Sequence, residues 1–450
     1  MMKRSVFLVI LFLFTQQAFS QQAPYTGTKT PYPVPKTATS AAPAGYQPVW
    51  INYVGRHGAR FLTKAGSDVK LLKVLSEAEQ KQGLTTTGKL IKQMVQRFLT
   101  IEKNNYEFIS LLGKQEQAGI GARLLQQYPT VFKGGGKGLS VEVTHKIRTR
   151  QSAEAFVSQL GGYTGNIHFE QVQDSNENVL RFYDLSPAYL KFKKSDAVSR
   201  PIDSLNKDVQ TQTVALHVAK KLFTSSWLKA STDKGEAYNW NTIAEYLYDL
   251  YSVQFSIPLE MKVKGYTKDS IDFGIAFSTA DLVWLEFKNS AEDFLEKGAG
   301  TDTLGIQSRV AAPLLVDFIN TTNEALHAPA GTASEAILRF THAEAISPFA
   351  TLLGIPQASV PSPAIRAYNQ HWQASAIIPL SANIQWILYS NGNDFLVKVL
   401  LNEKEVALPI ATTQYPYYKW TDVKQYYLKK LESLHVSPGD DMHRYLLELQ

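Results

Sequence analysis

Apolar and polar positions alternate along the chain in two rhythms. Residues 49–54 (VWINYV) form a nearly continuous apolar run that breaks at Gly55, which predicts a buried strand feeding a turn. Helical stripes follow. Val69, Leu71, Leu72, Val74, Leu75 and Ala78 predict a helix over 67–80, and Leu90, Ile91, Met94, Val95, Phe98, Leu99 and Ile101 predict another over 85–103. A third is expected from about 115 to 127, stopping before Pro129. Residues 133–138 hold four glycines and predict a loop. Alternation of Leu139, Val141 and Val143 then predicts a strand over 139–144, followed by a helix over 151–160.

Beyond Gly161 the rhythm changes. Stretches 209–222, 240–250, 280–295 and 306–326 carry helical spacing with few strand signals between them. Residues 161–332 therefore read as a mainly helical inserted domain, and 331–334 as the linker leading out of it. Strands return at 336–340 (AILRF), 383–389 (NIQWILY) and 395–401, the last two joined through the hairpin signal SNGND. A turn and helix fill 341–354, and an amphipathic helix over 421–434 closes the chain. Strands alternating with helices at both ends predict an α/β fold, a layered core formed by 49–160 and 333–450 with helices on both faces of a central sheet. There is no internal repeat.

Composition narrows the class. The 450 residues are 44% hydrophobic, enough for an ordinary globular core. Residues 1–20 fall outside the fold: Lys3 and Arg4 precede an apolar run over 6–14, and Ala18-Phe19-Ser20 offers small residues for cleavage. That is a secretory signal peptide, so a bacterial periplasmic or extracellular location is expected. No stretch is long enough to span a membrane. Residues 21–48 hold six prolines and read as an extended lead-in, ordered only in part. The absence of cysteine excludes disulfides, thiol catalysis and cysteine-ligated metals. A net charge of +6 is too small to argue for nucleic acid, but it suits a local cluster that attracts a small anion. A monomer is expected.

Three short clusters each follow a predicted strand: Arg56-His57-Gly58-Ala59-Arg60, then Arg148, then His342-Ala343-Glu344. In an open α/β sheet, sites form at the carboxyl ends of strands, and all three clusters belong there. Guanidinium forks fit phosphate oxygens, and fixed positive charge keeps His57 neutral and able to act as nucleophile or base. Taken singly, each cluster has another reading. The first is also a basic surface turn, Arg148 a solvated charge at a helix end, and His342 with Glu344 a structural hydrogen-bonded pair. No second histidine sits at metal-binding spacing, and neither a G-x-S-x-G elbow nor a P-loop occurs.

Together these residues resemble the histidine acid phosphatases, the second branch of the histidine phosphatase superfamily. Within them the chain is most similar to the multiple inositol polyphosphate phosphatases, a phytase type. The motif R-H-G-x-R-x-P stands here as Arg56 through Leu62, with Leu62 in place of the usual proline. Arg148 precedes Ser152-Ala153 as in the family, and His342-Ala343-Glu344 matches the His-Ala-Glu of the inositol polyphosphate group. The resemblance implies that His57 attacks phosphorus and Glu344 protonates the leaving alcohol. It implies that Arg56, Arg60, Arg148 and His342 hold the phosphoryl oxygens, with no metal or other cofactor. Thr63, Lys64, His145 and Lys146 are candidate substrate-pocket residues and equally suit ordinary loop positions. Arg181, Lys191, Lys193 and Lys194 are a solvated face or a rim for a polyanion. Inositol hexakisphosphate and lower inositol phosphates are the expected substrates. A broad acid phosphatase and a non-catalytic phospho-ligand binder are the competing readings.

Overall fold

A computed structural model describes residues 25–36, 39–132, 138–160, 163–172, 177–233, 239–302, 304–329 and 332–450. The signal-peptide reading of 1–20, most of the glycine loop and the start of the 331–334 linker lie outside the described residues.

Eight described strands form one mixed sheet: β1 (Gln47–Arg56), β2 (Leu139–Val143), β3 (Ile167–Gln171), β4 (Ala336–Thr341), β5 (Asn383–Ser390), β6 (Phe395–Leu401), β7 (Lys404–Glu405) and β8 (Tyr417–Lys419). The spatial order is β3-β2-β4-β1-β5-β6-β7, with β8 also on β6. β3, β2, β4 and β1 are parallel neighbours, and β5 runs antiparallel to β1. Val143 pairs with Phe340, and Arg56 with Thr341, so β2, β4 and β1 end at one edge. Gly55 pairs with Asn383, which brings the residues before β5 to the same edge.

The sheet is apolar on both faces because helices cover both. In β1, Ile51 and Tyr53 face a core shared with Ile120, Leu124, Phe156 and Phe340. Trp50 and Val54 alternate to the other side, in the core that holds Phe318, Phe349 and Trp386. Tyr53, Phe156 and Phe340 have ring centroids 5.2–5.6 Å apart. Each buried ring contributes about 2 kcal/mol, so this trio fixes β1 and β4 against the helix Ile147–Val157.

The longest helix, Thr279–Lys297, belongs to the helical stretch. It starts in a capping box between Ser278 and Asp281 and ends on a buried lysine at the strand-end edge. Among the described residues no helix is long and apolar enough to cross a membrane.

The structure departs from expectation in several places, among them a further helix, Met442–Glu448, after the one expected to close the chain. β1 runs through Gly55 to Arg56, so Arg56 is a strand residue. β3 lies within the stretch expected to be helical; it is a largely exposed edge strand of five residues, whose polar composition gives little signal. The helix Ile147–Val157 begins four residues before its expected start, so Arg148 sits in its first turn. The proline-rich residues 25–36 are packed in place: Gly27–Lys29 makes a 3-10 turn and Tyr32 is buried.

Candidate active site

The turn after β1 is held from its own backbone outwards. Arg56 N–H donates to the Ala382 carbonyl at 2.7 Å, and His57 N–H to the Thr341 carbonyl at 3.1 Å. Gly58 N–H donates to Ser152 Oγ at 3.0 Å and Ala59 N–H to Glu116 Oε2 at 2.8 Å. Gly58 meets the first turn of the helix Leu111–Gln127 backbone to backbone: a Cβ on Gly58 would lie 2.5 Å from the Gly113 oxygen. Glu116 also accepts from Tyr32 N–H and from Ser381 Oγ, both at 2.8 Å. One carboxylate thus ties the N-terminal segment, the turn and the approach to β5 together.

His57 is buried, and its Nδ1 lies 3.0 Å from the Gly58 carbonyl. A carbonyl only accepts, so Nδ1 carries the proton and Nε2 keeps its lone pair. Burial, reinforced by Arg56, Arg148, Arg60 and His342, holds the imidazole well below the usual histidine range. It stays neutral in acid where an exposed histidine would be protonated.

Arg56 is clamped through a single nitrogen. Its Nη1 donates to Thr28 O at 2.6 Å, to Thr28 Oγ1 at 2.9 Å and to the Ile378 carbonyl. Arg60 Nη1 donates to the Phe61 carbonyl at 2.7 Å. Arg148 extends from the helix after β2 and reaches His342 Nδ1 at 3.3 Å. Since a guanidinium only donates, His342 Nδ1 accepts, and Nε2–H donates to Thr144 Oγ1 at 3.1 Å. The His57 and His342 rings are 5.5 Å apart. Burial pushes Arg56 and Arg60 down to about 10, with Arg60 and Arg148 respectively adding repulsion, yet both stay charged. The Nε atoms of Arg56, Arg60 and Arg148 are buried and make no hydrogen bond. Guanidiniums crowded together with unpaired donors are costly unless an anion completes the set.

Glu344 lies in the first turn of the helix Ala343–Leu353, with His342 as the N-cap, so the positive end of the helix dipole faces the cluster. Its side chain is 37% exposed, and Oε1 accepts from Lys297 Nζ at 3.3 Å. Burial opposes its charge, but Lys297, His342 and Arg56 outweigh it and keep the carboxyl well below its usual range.

The six residues drawn from the three sequence clusters therefore meet at one edge of the sheet. The other four candidates divide. Thr63 and Lys64 are solvent-exposed. His145 and Lys146 are half-buried, and the His145 ring lies against Arg181. Arg181 also pairs with Glu177 and Asp184, and these residues with Leu185 line a cleft of about 250 Å³. Lys297, Glu116, Gln117 and Thr28 were missed by sequence reasoning. Each is a polar residue in a helix or loop, with no local motif to distinguish it from a solvated one.

Comparison with known proteins agrees with this geometry. Residues 50–402 match the family model described as the histidine phosphatase superfamily (branch 2). Among solved structures, the chain resembles the Bifidobacterium longum multiple inositol polyphosphate phosphatase in complex with inositol hexasulfate. The identity is 23% and the TM-score 0.77, over 89% of this chain and 96% of that one. The same protein in complex with phosphate gives 22% and 0.77, over 92% and 99%. The phytase from D. castellii gives 15% and 0.63, over 93% and 88%. No curated protein matches the chain.

Proposed function

The chain belongs to the histidine phosphatase superfamily, branch 2, and from that premise we propose that it hydrolyses inositol polyphosphates, phytate among them, through a phosphohistidine at His57. One observation carries the reading: a neutral imidazole with its Nε2 lone pair available stands among three guanidiniums whose buried Nε–H groups have no partner. The likeness to inositol polyphosphate phosphatase and phytase structures supports the choice of substrate class.

Phosphoryl transfer asks for positioning and positive charge, and Arg56, Arg60 and Arg148 supply both. His57 Nε2 forms a bond to phosphorus as the bond to the alcohol oxygen breaks. Glu344 gives that oxygen a proton. Water then attacks phosphorus, returns a proton to Glu344, and frees inorganic phosphate and His57. His342, whose Nδ1 accepts from Arg148 in the free protein, turns donor when an oxyanion raises its basicity. All six residues come from one chain, so a monomer suffices. We place the protein outside the cytoplasm, on the basic start and apolar run of residues 3–14.

Alkaline quenching during turnover of labelled phytate, which preserves a phosphorus–nitrogen bond, is expected to trap phosphate on His57 and to trap none on His57→Ala. A His57→Ala protein with full hydrolysis overturns the mechanism. Turnover of phytate well above that of glucose phosphate is expected; equal turnover favours a broad acid phosphatase. Glu344→Gln is expected to slow alkyl phosphates about 10²–10⁴-fold while sparing an aryl ester with a good leaving group. Equal losses on both would remove Glu344 from the acid role.

A further inference from the structure

The proton donor in this reaction begins without a proton. Glu344 faces Lys297, His342 and Arg56, with Tyr183 and Tyr189 nearby, and in the free protein it is a carboxylate. Something must relax before an alkoxide can leave.

Lys297 is the neighbour built to relax. Its Nζ is shared between two carboxylates, 2.8 Å from Asp293 Oδ1 and 3.3 Å from Glu344 Oε1. Asp293 lies one turn earlier on the same helix, so that contact is local and shorter. Glu344 belongs to a different helix and its contact is longer. Of the guanidiniums that also act on Glu344, Arg56 is clamped by Thr28 and Ile378, Arg60 donates to the Phe61 carbonyl and Arg148 to the neutral His342. The Lys297 side chain is 11% exposed, so it is largely desolvated and an incoming anion would be felt strongly.

We propose that Lys297 is a positioning residue that couples substrate charge to proton delivery. It anchors the Glu344 carboxylate in the free protein, and a second phosphate group on the substrate draws the ammonium off, so that Glu344, whose side chain is open to water, takes up from solvent the proton it gives to the leaving oxygen. The substrate class selected is a phosphomonoester carrying another anionic group close to the scissile one. A lone phosphate ester leaves Lys297 on Glu344 and reacts with a weaker acid supply. This rests on the reading of Glu344 as the proton donor.

The test compares Lys297→Met, Lys297→Arg and Asp293→Asn on phytate, glycerol 2-phosphate and p-nitrophenyl phosphate across pH. In Lys297→Met the carboxyl loses its cationic neighbour and holds its proton to higher pH. The basic limb of kcat/KM for glycerol 2-phosphate should therefore move up by about one unit, and the preference for phytate should fall about tenfold. p-Nitrophenyl phosphate, whose leaving group needs no proton, should change least. Lys297→Arg should restore the preference. Asp293→Asn leaves the ammonium wholly to Glu344 and should move the limb down; it also serves if Lys297→Met fails to fold. Unmoved pH limbs, with all three substrates slowed by one factor, overturn the inference and leave Lys297 a structural tie. Failure of the underlying reading looks different: Glu344→Gln would then slow p-nitrophenyl phosphate as much as glycerol 2-phosphate.

Discussion

Leu62 stands where the family motif usually carries proline, and the backbone uses the difference. Its N–H, which proline lacks, donates to Glu102 Oε2 at 3.0 Å. Glu102 is fully buried, and burial, with Asp68 and Asp249 adding repulsion, pushes its carboxyl up to about 8. An unfolded chain ionises this group at the ordinary value of about 4.3. Between the two values the native state binds the extra proton, so stability falls as pH rises through that window. Glu102→Gln keeps an acceptor for Leu62 and removes the titration. The melting temperature of the variant relative to the parent should therefore grow between about pH 5 and about pH 8, and parallel curves would contradict this. At this scale the legible residues were those in contiguous strings, since Arg56-His57-Gly58-Ala59-Arg60 and His342-Ala343-Glu344 bring several functional groups to one turn. Glu102 and Lys297 were not legible. A buried charged residue whose partner is distant in sequence looks the same as one on a solvated helix face.

Among the elements, the helix Leu111–Gln127 does most to shape the turn. A Cβ on Gly113 would lie 2.0 Å from the Ala59 oxygen, and one on Gly121 2.3 Å from the Phe156 oxygen. The helix therefore approaches both the turn and the helix Ile147–Val157 along a glycine face. From the same face Gln117 Nε2 reaches the Arg56 carbonyl at 2.9 Å. Gly113→Ala should push helix and turn apart, at a cost of about 1–3 kcal/mol in stability. It should lower kcat on phytate more than a distant change of equal destabilisation does, as activity assays at matched folded fraction would show. Unchanged kcat would mean that the turn does not depend on this contact. Those glycines also explain why the helix was expected to begin near 115. They dilute the apolar stripe, while the real start is set by Ser110, whose side chain accepts from Gly113 N–H. Strands β1, β2, β4, β5 and β6 were legible because burial on both faces makes them continuously apolar or strictly alternating. β3 was not, since an exposed edge requires neither.

Across the whole molecule, the site draws on segments far apart in sequence. Residues 25–36 supply the Thr28 oxygens to Arg56, the Tyr32 N–H to Glu116, and Lys29 to an ion pair with Asp249, which also accepts from Ser67 Oγ at 2.7 Å. Removing them should leave the sheet folded and reduce kcat/KM on phytate by about 10²-fold, because Arg56 loses its aim. Circular dichroism beside kinetics would check both halves, and full activity would show that the clamp is dispensable. Composition read this stretch as a loose lead-in because its contacts, half of them through backbone atoms, reach residues distant in sequence, which proline content does not reveal. The clamp on Arg56 is closed by Thr28 from one side and Ile378 from the other, some 350 positions apart. A polypeptide still emerging from the ribosome has the first half of that grip and lacks the second. Synthesis must pass position 378 before that grip can close, so a half-made copy carries Arg56 without its aim.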